Sequence, residues 1–373
     1  MSGIYIHIPF CKQACYYCDF HFSTSLKKKN DLINALIKEI VLRKQEITEP
    51  IQTIYFGGGT PSILSTDELQ FLLDTIYENY SVSDNPEITL EANPDDLDTE
   101  KIIALSKTPI NRLSIGVQSF FNDDLKFMHR AHNANEAINA LKTATKYFKN
   151  ITIDLIYGIP NLSVEKWKKN LQTAFDLGVN HISSYALTLE IKTALYQLIK
   201  SKKYPPLDEN LALEHFNILV TETKRQNFIH YETSNFGKEG FFSKHNTAYW
   251  QGKNYLGIGP SAHSFNGKQR SWNVNNNTKY IKAIREDHIP QEIEILSQND
   301  LFNEAVMIGL RTIWGISITE ITKKFGKEKA NYLKEKSKKH LKNGTLKIHK
   351  KQLLATQKGK FLIDGIASDL FCV

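Results

Sequence analysis

The sequence predicts an α/β protein: a partial (β/α)6 barrel in residues 1–290, followed by a helical, winged-helix-like domain in residues 291–373. Over the first three-fifths of the chain, short β-branched runs alternate with segments of helical period. This alternation is typical of βαβ units that build a parallel sheet. It ends near residue 290, where helical segments lead to Asn343-Gly344, a dipeptide that predicts a hairpin turn between two short strands.

Six strands are predicted in the barrel, and two of the helices between them have clear boundaries. Ser65 and Glu68 have the spacing of a capping box before a helix over Leu69–Tyr80. Another helix is predicted to begin near Ser163 and to end at Gly178. The predicted strands are Ile4–Ile8, Ile51–Phe56, Glu87–Glu91, Arg112–Val117, Thr152–Ile156 and His181–Leu187.

The charge of the chain is concentrated near its C-terminal end. The net charge is +7, but the segment Ile321–Lys360 holds fourteen lysines and two acidic residues, which leaves −5 for the rest. Such a segment is either a solvated helical face or a surface for a phosphate-rich partner, nucleic acid or anionic lipid. It has few aromatic residues for base stacking, so nucleic acid is not the expected partner.

Two features of the sequence bear on location. No apolar run approaches the about 18 residues of a spanning helix, and the first ten residues lack the basic region of a signal peptide. We therefore expect a cytoplasmic protein, with the basic segment as the part that would contact the inner face of an anionic membrane.

Three of the four cysteines lie within eight residues, as Cys11-x3-Cys15-x2-Cys18. A disulfide framework would need cysteines spread more widely, so the cluster indicates a metal site. Three thiolates can hold three irons of a [4Fe–4S] cubane and leave the fourth iron open to a small molecule. The alternative is a zinc site completed by His21, as a Cys₃His tetrahedron. Cys372 is interpreted as an incidental thiol.

Glycines and polar residues at the predicted strand ends point to one ligand site. The run Gly57-Gly58-Gly59-Thr60-Pro61 follows the second strand and permits close backbone approach to a ligand, but it lacks the Gly-Lys-Ser/Thr of a phosphate-binding loop. In (β/α) barrels ligands bind at the C-terminal ends of the strands. Four polar residues in or just beyond later strands are therefore expected to converge there, although each alone could be a turn or cap residue: Glu91, Gln118, Asp154 and Tyr185.

The cysteine spacing, with Tyr17 before the last cysteine, resembles the signature of the radical S-adenosylmethionine (SAM) superfamily. One branch of that superfamily, the oxygen-independent coproporphyrinogen III oxidases and the related heme chaperones, is similar over essentially the whole chain. The motifs that carry this likeness are Tyr5-Ile6-His7-Ile8-Pro9-Phe10-Cys11, the glycine run, Glu91-Ala92-Asn93-Pro94, Gly116-Val117-Gln118-Ser119, His129-Arg130-Ala131-His132 and Asp154-Leu155-Ile156-Tyr157-Gly158-Ile159-Pro160.

The resemblance implies a [4Fe–4S] cluster on Cys11, Cys15 and Cys18, and a scaffold able in principle to cleave SAM reductively. His263 aligns with a residue that contacts a second SAM in the oxidase. The residues implied to line the SAM site are Tyr5, Tyr17, Gly58, Gly59, Thr60, Glu91, Gln118, Arg130, Asp154 and Ala186.

Three departures favour the heme chaperones over the oxidases. Phe20 stands where the oxidase has a further cysteine, and the long N-terminal extension of the oxidase is not present before the cluster strand. The segment His245-Asn246-Thr247-Ala248-Tyr249-Trp250 resembles the heme-binding motif of the chaperones. Imidazole and phenolate are both axial ligands of heme iron, and indole can stack on a porphyrin. The structural alternative is a histidine and two aromatic residues packed against the barrel.

His245 and Tyr249 are four residues apart, so on a helix they share one face and cannot bind an iron from opposite sides. We therefore expect one axial ligand, His245, with Tyr249 hydrogen-bonding, stacking or serving as an alternative ligand. A change at His245 is expected to leave SAM binding intact, because the cluster ligands lie in another part of the chain. The function predicted is a heme-binding chaperone, with a [4Fe–4S] cluster and SAM, that delivers heme to a respiratory heme protein. The alternative is the oxidative decarboxylation of coproporphyrinogen III, and RNA modification is disfavoured.

Overall fold

The computed structural model describes residues 2–372. Within this range the strands are β1 (Ser2–Ile8), β2 (Ile51–Gly58), β3 (Val82–Ala92), β4 (Arg112–Gln118), β5 (Asn150–Tyr157), β6 (His181–Ala186), β7 (Ile229–Glu232), β8 (Asn235–Gly237), β9 (Asn254–Ile258), β10 (His263–Phe265), β11 (Gln269–Asn273), β12 (Gln291–Ile295), β13 (Ile316–Ser317), β14 (Leu346–His349) and β15 (Gln352–Ala355).

The helices in the same range connect these strands. They are α1 (Lys29–Leu42), α2 (Thr66–Asn79), α3 (Thr99–Leu105), α4 (Asn122–Phe127), α5 (Ala134–Tyr147), α6 (Val164–Asp176), α7 (Ala194–Lys200), α8 (Glu209–Arg225), α9 (Lys244–Trp250), α10 (Asn277–Arg285), α11 (Gln298–Leu310), α12 (Ile318–Lys342), α13 (Gln357–Lys360) and α14 (Ile363–Asp369). No helix among the described residues is long and apolar enough to cross a membrane.

The six predicted strands form the parallel centre of one large sheet. Its order is β12-β11-β10-β9-β1-β2-β3-β4-β5-β6-β8-β7, so β1 to β6 are consecutive neighbours, as βαβ units require. Apolar side chains on one face of each strand, such as Ile4, Ile6 and Ile8, are fully buried in the main core. The partial (β/α)6 barrel is thus confirmed. The sequence analysis missed β9, which is parallel to β1, and the antiparallel strands on both flanks.

The predicted helix boundaries are confirmed at both capping motifs. Ser65 accepts a hydrogen bond from the backbone N–H of Glu68, and the Glu68 carboxylate accepts one from the backbone N–H of Ser65. Ser163 caps α6 at its start. Gly178 follows the end of that helix with φ +75°, a conformation that glycine adopts without a steric penalty.

The large sheet continues past residue 290, where the sequence analysis divides the chain. Strand β12 pairs residue by residue with β11 as the antiparallel edge of this sheet, so it lies with the barrel. A second hydrophobic core begins at Phe302 and includes residues of α11, α12, β13 to β15 and α14. Its three strands have the order β13-β15-β14, and with the helices they form a winged-helix-like arrangement.

The hairpin turn predicted at Asn343-Gly344 is wrong. Asn343 is the C-cap of α12, and Gly344, at φ +70°, ends that helix. The turn of the β14–β15 hairpin is Lys350-Lys351, with φ of +48° and +64°, and it closes a two-residue loop next to the pair His349 and Gln352. A glycine after an asparagine satisfies a helix C-terminus as well as a hairpin turn, because both need a left-handed backbone.

Helix α9 begins beneath the interior of the barrel. Ser243 caps it, and both carboxylate oxygens of Glu87 on β3 accept hydrogen bonds from the backbone N–H groups of Lys244 and His245, at 3.0 Å each. A carboxylate at a helix N-terminus satisfies free N–H groups and is favoured by the helix dipole. The helix is therefore anchored directly to a barrel strand.

Candidate active site

The inner face of the barrel is polar, in contrast to its outer face. On β4 the side chains of Arg112, Ser114 and Gln118 border the internal cavity, while the intervening Leu113 and Ile115 are buried against the outer helices. The same alternation occurs on β3 and β5. Because successive side chains of a strand point to opposite faces, this pattern places a polar layer around the barrel interior.

One cavity of about 520 Å³ opens where β1 to β6 end. It brings together most of the residues that the sequence singled out. The predicted residues that line it are Cys11, Cys15, Tyr17, Cys18, Gly58, Gly59, Thr60, Glu91, Gln118, Arg130, Asp154 and Tyr185.

The three clustered cysteines all border this cavity, in the loop that follows β1. Arg130 lies behind the loop: its Nη1 is 3.4 Å from the Cys15 sulfur, and its Nη2 donates to Asn93 Oδ1 at 2.7 Å and to the Gly116 carbonyl at 2.9 Å. Three thiols around one opening, with a fixed cation behind them, fit a [4Fe–4S] cluster.

The zinc alternative does not match the position of His21. Its Nε2 lies 2.7 Å from Oδ1 of Asn277, at the start of α10, and His21 does not border the cavity. Among the described residues no group of three His, Cys, Asp or Glu side chains is arranged to hold a single metal ion.

The glycine run packs so closely against β1 and the cysteine loop that a larger residue would not fit. Gly58 has φ +113°, and a Cβ there would lie 2.7 Å from the His7 ring. A Cβ on Gly59 would lie 2.6 Å from the Phe10 carbonyl oxygen and 3.0 Å from the Cys11 sulfur. The backbone after β2 therefore runs directly against the cysteine loop, and Gly58 and Gly59 both border the cavity.

Two carboxylates face the cavity from β3 and β5, the strands on either side of β4. Glu91 accepts a hydrogen bond from the Tyr55 hydroxyl at 2.7 Å and another from the Gly58 N–H at 3.1 Å. Burial raises the pKa of Glu91 to about 7, and burial together with the charge of Glu91 raises the pKa of Asp154 to about 7. A ligand that carries positive charge would favour the ionised form of both.

Three polar side chains at the cavity have atoms with no hydrogen-bond partner among residues 2–372. They are Gln118 Oε1, Arg130 Nε, and Nε and Nη1 of Arg112. Buried polar atoms without partners are costly, and in native proteins they usually mark a place where water or a ligand completes the contacts. Together with the carboxylates, they fit a polar, zwitterionic ligand such as SAM.

Comparisons with known proteins agree with this geometry. The family model described as the radical SAM superfamily matches residues 5–180, and the model described as the HemN C-terminal domain matches residues 296–362. The chain is 33% identical to the heme chaperone HemW of Bacillus subtilis over 97% of each protein. It is 35% identical to the heme chaperone HemW of Lactococcus lactis, over 87% of this chain and 85% of that protein.

The chain belongs to the HemW family of the radical SAM superfamily. Membership of the superfamily implies a [4Fe–4S] cluster and SAM. The coproporphyrinogen III oxidase HemN of Escherichia coli, described as a radical SAM enzyme, superposes with a TM-score of 0.86. That match is 22% identical and covers 99% of this chain and 90% of the other, so it shows that the two proteins share a fold.

Three residues implied for SAM by the family resemblance lie outside the cavity lining. Tyr5 is on the inner face of β1, with its hydroxyl 3.1 Å from His7 Nδ1, and it does not border the cavity. Ala186, at the end of β6, is half-buried and does not border the cavity. His263 is exposed on β10 beside Trp272, so in this HemW-family chain it is not part of the site that the cysteines border.

The segment that resembles a heme-binding motif forms α9, and its histidine is buried. The His245 Nε2 lies 2.7 Å from the Tyr249 hydroxyl, which confirms that the two share one helical face. Its Nδ1 lies 2.7 Å from Thr53 Oγ1, and the side chain is 2% exposed. Both ring nitrogens are therefore engaged, and neither His245 nor Tyr249 borders the cavity.

Sequence analysis missed several residues of the site. Arg112 borders the cavity and pairs with Glu87 at 4.0 Å, and Asn93 holds Arg130. Asn246, next to His245, also borders the cavity. The polar alternation of β4 would have predicted Arg112, but no signal in the sequence places α9 under the cavity.

Proposed function

We propose that this protein is a heme-binding chaperone that carries a [4Fe–4S] cluster and SAM and delivers heme to a respiratory heme protein. The observation that carries the proposal is the end-to-end similarity to proteins named heme chaperone, at 33% identity over 97% of both chains. The site adds support because Phe20, 69% exposed at the cavity, stands where the oxidases have a further cysteine.

In this proposal Cys11, Cys15 and Cys18 hold the cluster next to the glycine run. A reduced cluster with an open iron supplies one-electron chemistry toward a bound SAM. The chain's own residues bind and orient the ligand: Glu91 and Asp154 offer carboxylates to its positive charge. The unpartnered atoms of Gln118, Arg130 and Arg112 supply further polar contacts, and the SAM site includes Tyr17, Gly58, Gly59 and Thr60.

We assign heme binding to the α9 segment, with His245 as the iron ligand and Tyr249 as its supporting partner. Burial lowers the pKa of His245 to about 3, so the imidazole is neutral and retains the lone pair that iron needs. Ligation would require the loss of one of the two hydrogen bonds of His245 and the exposure of a side chain that is buried in this structure. Arg311 lies 5.2 Å from the Trp250 ring, so the C-terminal domain touches the same helix.

The basic C-terminal segment is proposed to bring the protein to the inner face of the membrane, where respiratory acceptors reside. On the β14–β15 hairpin, Lys347, Lys350 and Lys351 are exposed, and Ile348 between them is 54% exposed. Lysines around an exposed apolar side chain are suited to contact with anionic headgroups.

The test uses full-length protein with an anaerobically reconstituted cluster. One sample receives heme, and another receives coproporphyrinogen III, SAM and a reductant. The chaperone proposal predicts about one tightly held heme per chain and no decarboxylation. Formation of protoporphyrinogen without retained heme would overturn it and make the protein a coproporphyrinogen oxidase.

A further inference from the structure

Helix α9 lies directly beneath the SAM cavity, and its consecutive residues His245 and Asn246 have different surroundings. Its first backbone N–H groups are held by Glu87, which is on the same inner face of β3 as Glu91. Asn246 borders the cavity, and His245 is buried one layer below it. The helix therefore forms part of the cavity floor.

The imidazole of His245 supports a tyrosine that in turn holds a cavity carboxylate. The His245 ring stacks on the Tyr55 ring with centroids 4.9 Å apart and an interplanar angle of 26°. Two hydrogen-bonding contacts, to Thr53 on β2 and to Tyr249 on α9, fix the orientation of the imidazole. The ring that Tyr55 packs against is thus held from both sides.

Tyr55 connects the fixed ring of His245 to the ligand site. The Tyr55 hydroxyl donates to one oxygen of Glu91 at 2.7 Å, and the other oxygen accepts from the Gly58 N–H at 3.1 Å. Each oxygen of the Glu91 carboxylate therefore accepts a hydrogen bond from a residue of β2, which fixes the orientation of the carboxylate. A change in the position of Tyr55 would turn Glu91 away from the glycine backbone.

We propose that α9 is part of the SAM site, with Asn246 as a direct ligand contact and His245 as a positioning residue that acts through Tyr55 on Glu91. This inference rests on the cavity taking SAM, but it holds whether or not the protein carries heme. From the sequence, a change at His245 is expected to leave SAM binding intact. The inference reverses that expectation, because His245 contacts Tyr55 in the fold although the two are far apart along the chain.

The experiment measures the SAM dissociation constant of the full-length, cluster-reconstituted protein by equilibrium dialysis. His245→Ala and Tyr55→Phe are each expected to weaken SAM binding by about tenfold, the loss typical of one hydrogen bond to a charged group. The double variant is expected to be no weaker than the worse single variant, because both changes act on one path. His245→Phe keeps an aromatic ring against Tyr55 and is expected to recover most of the affinity.

Two further variants separate this role from a general effect on folding. The side chain of Asn246 makes no hydrogen bond within residues 2–372, so Asn246→Ala should weaken SAM binding without loss of stability. His340→Ala is the matched control, because His340 is also buried and hydrogen-bonded, to Asp369, but lies in the second core. It should bind SAM like the wild type.

Three results would overturn the inference. The first is wild-type SAM affinity in His245→Ala, and the second is simple additivity of the His245 and Tyr55 effects. If the His245 variants do not fold, the third is wild-type SAM affinity in Asn246→Ala. If the wild-type protein itself binds no SAM while it holds a cluster, the proposed function fails instead.

Discussion

The cysteine loop places three thiols at one opening, and two of them have a specific neighbour. Cys11 lies against Gly59 and Cys15 against Arg130. Replacement of Cys11, Cys15 or Cys18 by Ala should abolish a cluster of about four irons and four sulfides per chain, because a cubane with an open iron needs all three thiolates. Iron and acid-labile sulfide assays check this.

Cys372→Ala is the control for these variants, because this cysteine lies in the second core. It should retain the full cluster. One zinc per chain and no labile sulfide in the wild-type protein would contradict the cluster assignment.

The two cavity carboxylates predict a pH dependence with a definite sign. Burial raises the pKa of Glu91 and of Asp154 to about 7, above their ordinary values of 4.5 and 3.8. The folded state without ligand therefore holds more protons than the unfolded state between about pH 4 and 7. The contribution of these groups to the free energy of unfolding falls as the pH rises through that window.

A cationic ligand stabilises the ionised carboxylates, so SAM binding near pH 6 should release protons and its affinity should rise toward pH 8. The charged groups that face this pair are Arg112 and Arg130. Calorimetry in buffers of different ionisation enthalpy measures the proton release, and Glu91→Gln should reduce it. An affinity independent of pH with no proton release would contradict this account of the site.

At the scale of single elements, the β14–β15 hairpin allows a direct test of membrane contact. Each lysine near an anionic surface contributes about 1 kcal/mol, so changing Lys347, Lys350 and Lys351 to Gln should weaken binding to phosphatidylglycerol vesicles by on the order of a hundredfold. Vesicle co-sedimentation measures this, and raised salt should weaken wild-type binding because the interaction is screened.

The matched control changes three exposed lysines on or beside α5, Lys142, Lys146 and Lys149, to Gln. This variant has the same net charge as the hairpin variant and should bind vesicles like the wild type. Equal loss in both variants, or no loss in either, would identify the basic segment as a solvated face.

The elements that the sequence predicts well are those in which local and tertiary signals coincide. Strands β1 to β6 carry buried β-branched runs, and Ser65 and Ser163 satisfy their helix ends locally. Strands β9 to β12 are short, and β9 joins the barrel by pairing with β1 from a distant part of the chain, so pattern alone does not reveal them. The Asn343-Gly344 dipeptide is ambiguous because a helix end and a hairpin need the same left-handed backbone.

The residues of the site also differ in whether the sequence predicts their position. The cysteines, the glycine run and the strand-end carboxylates follow from motif and position, and they do line one cavity. The place of α9 does not follow, because it depends on Glu87, a single side chain about 160 residues away, accepting from the helix N-terminus. For this reason sequence analysis treats His245 and the SAM residues as separate sites.

At the scale of the whole molecule, heme binding and SAM binding should oppose each other. Under the proposed assignment, iron ligation by His245 would withdraw the imidazole from Tyr249 and disturb its packing on Tyr55. SAM affinity should therefore fall when heme is bound, and by linkage heme affinity should fall by the same factor when SAM is bound. Dissociation constants of each ligand, measured with and without the other, check the prediction, and mutual independence would contradict it.

If this protein hands heme to an acceptor, as proposed, the rate of heme transfer should depend on that acceptor. Heme-loaded protein is mixed with a heme-free b-type cytochrome at increasing concentration, and with apomyoglobin as a trap that reports spontaneous dissociation. The account predicts transfer to the cytochrome that saturates with concentration and exceeds the rate to the trap. Equal rates to both, independent of acceptor concentration, would contradict delivery and leave heme storage or adventitious heme binding.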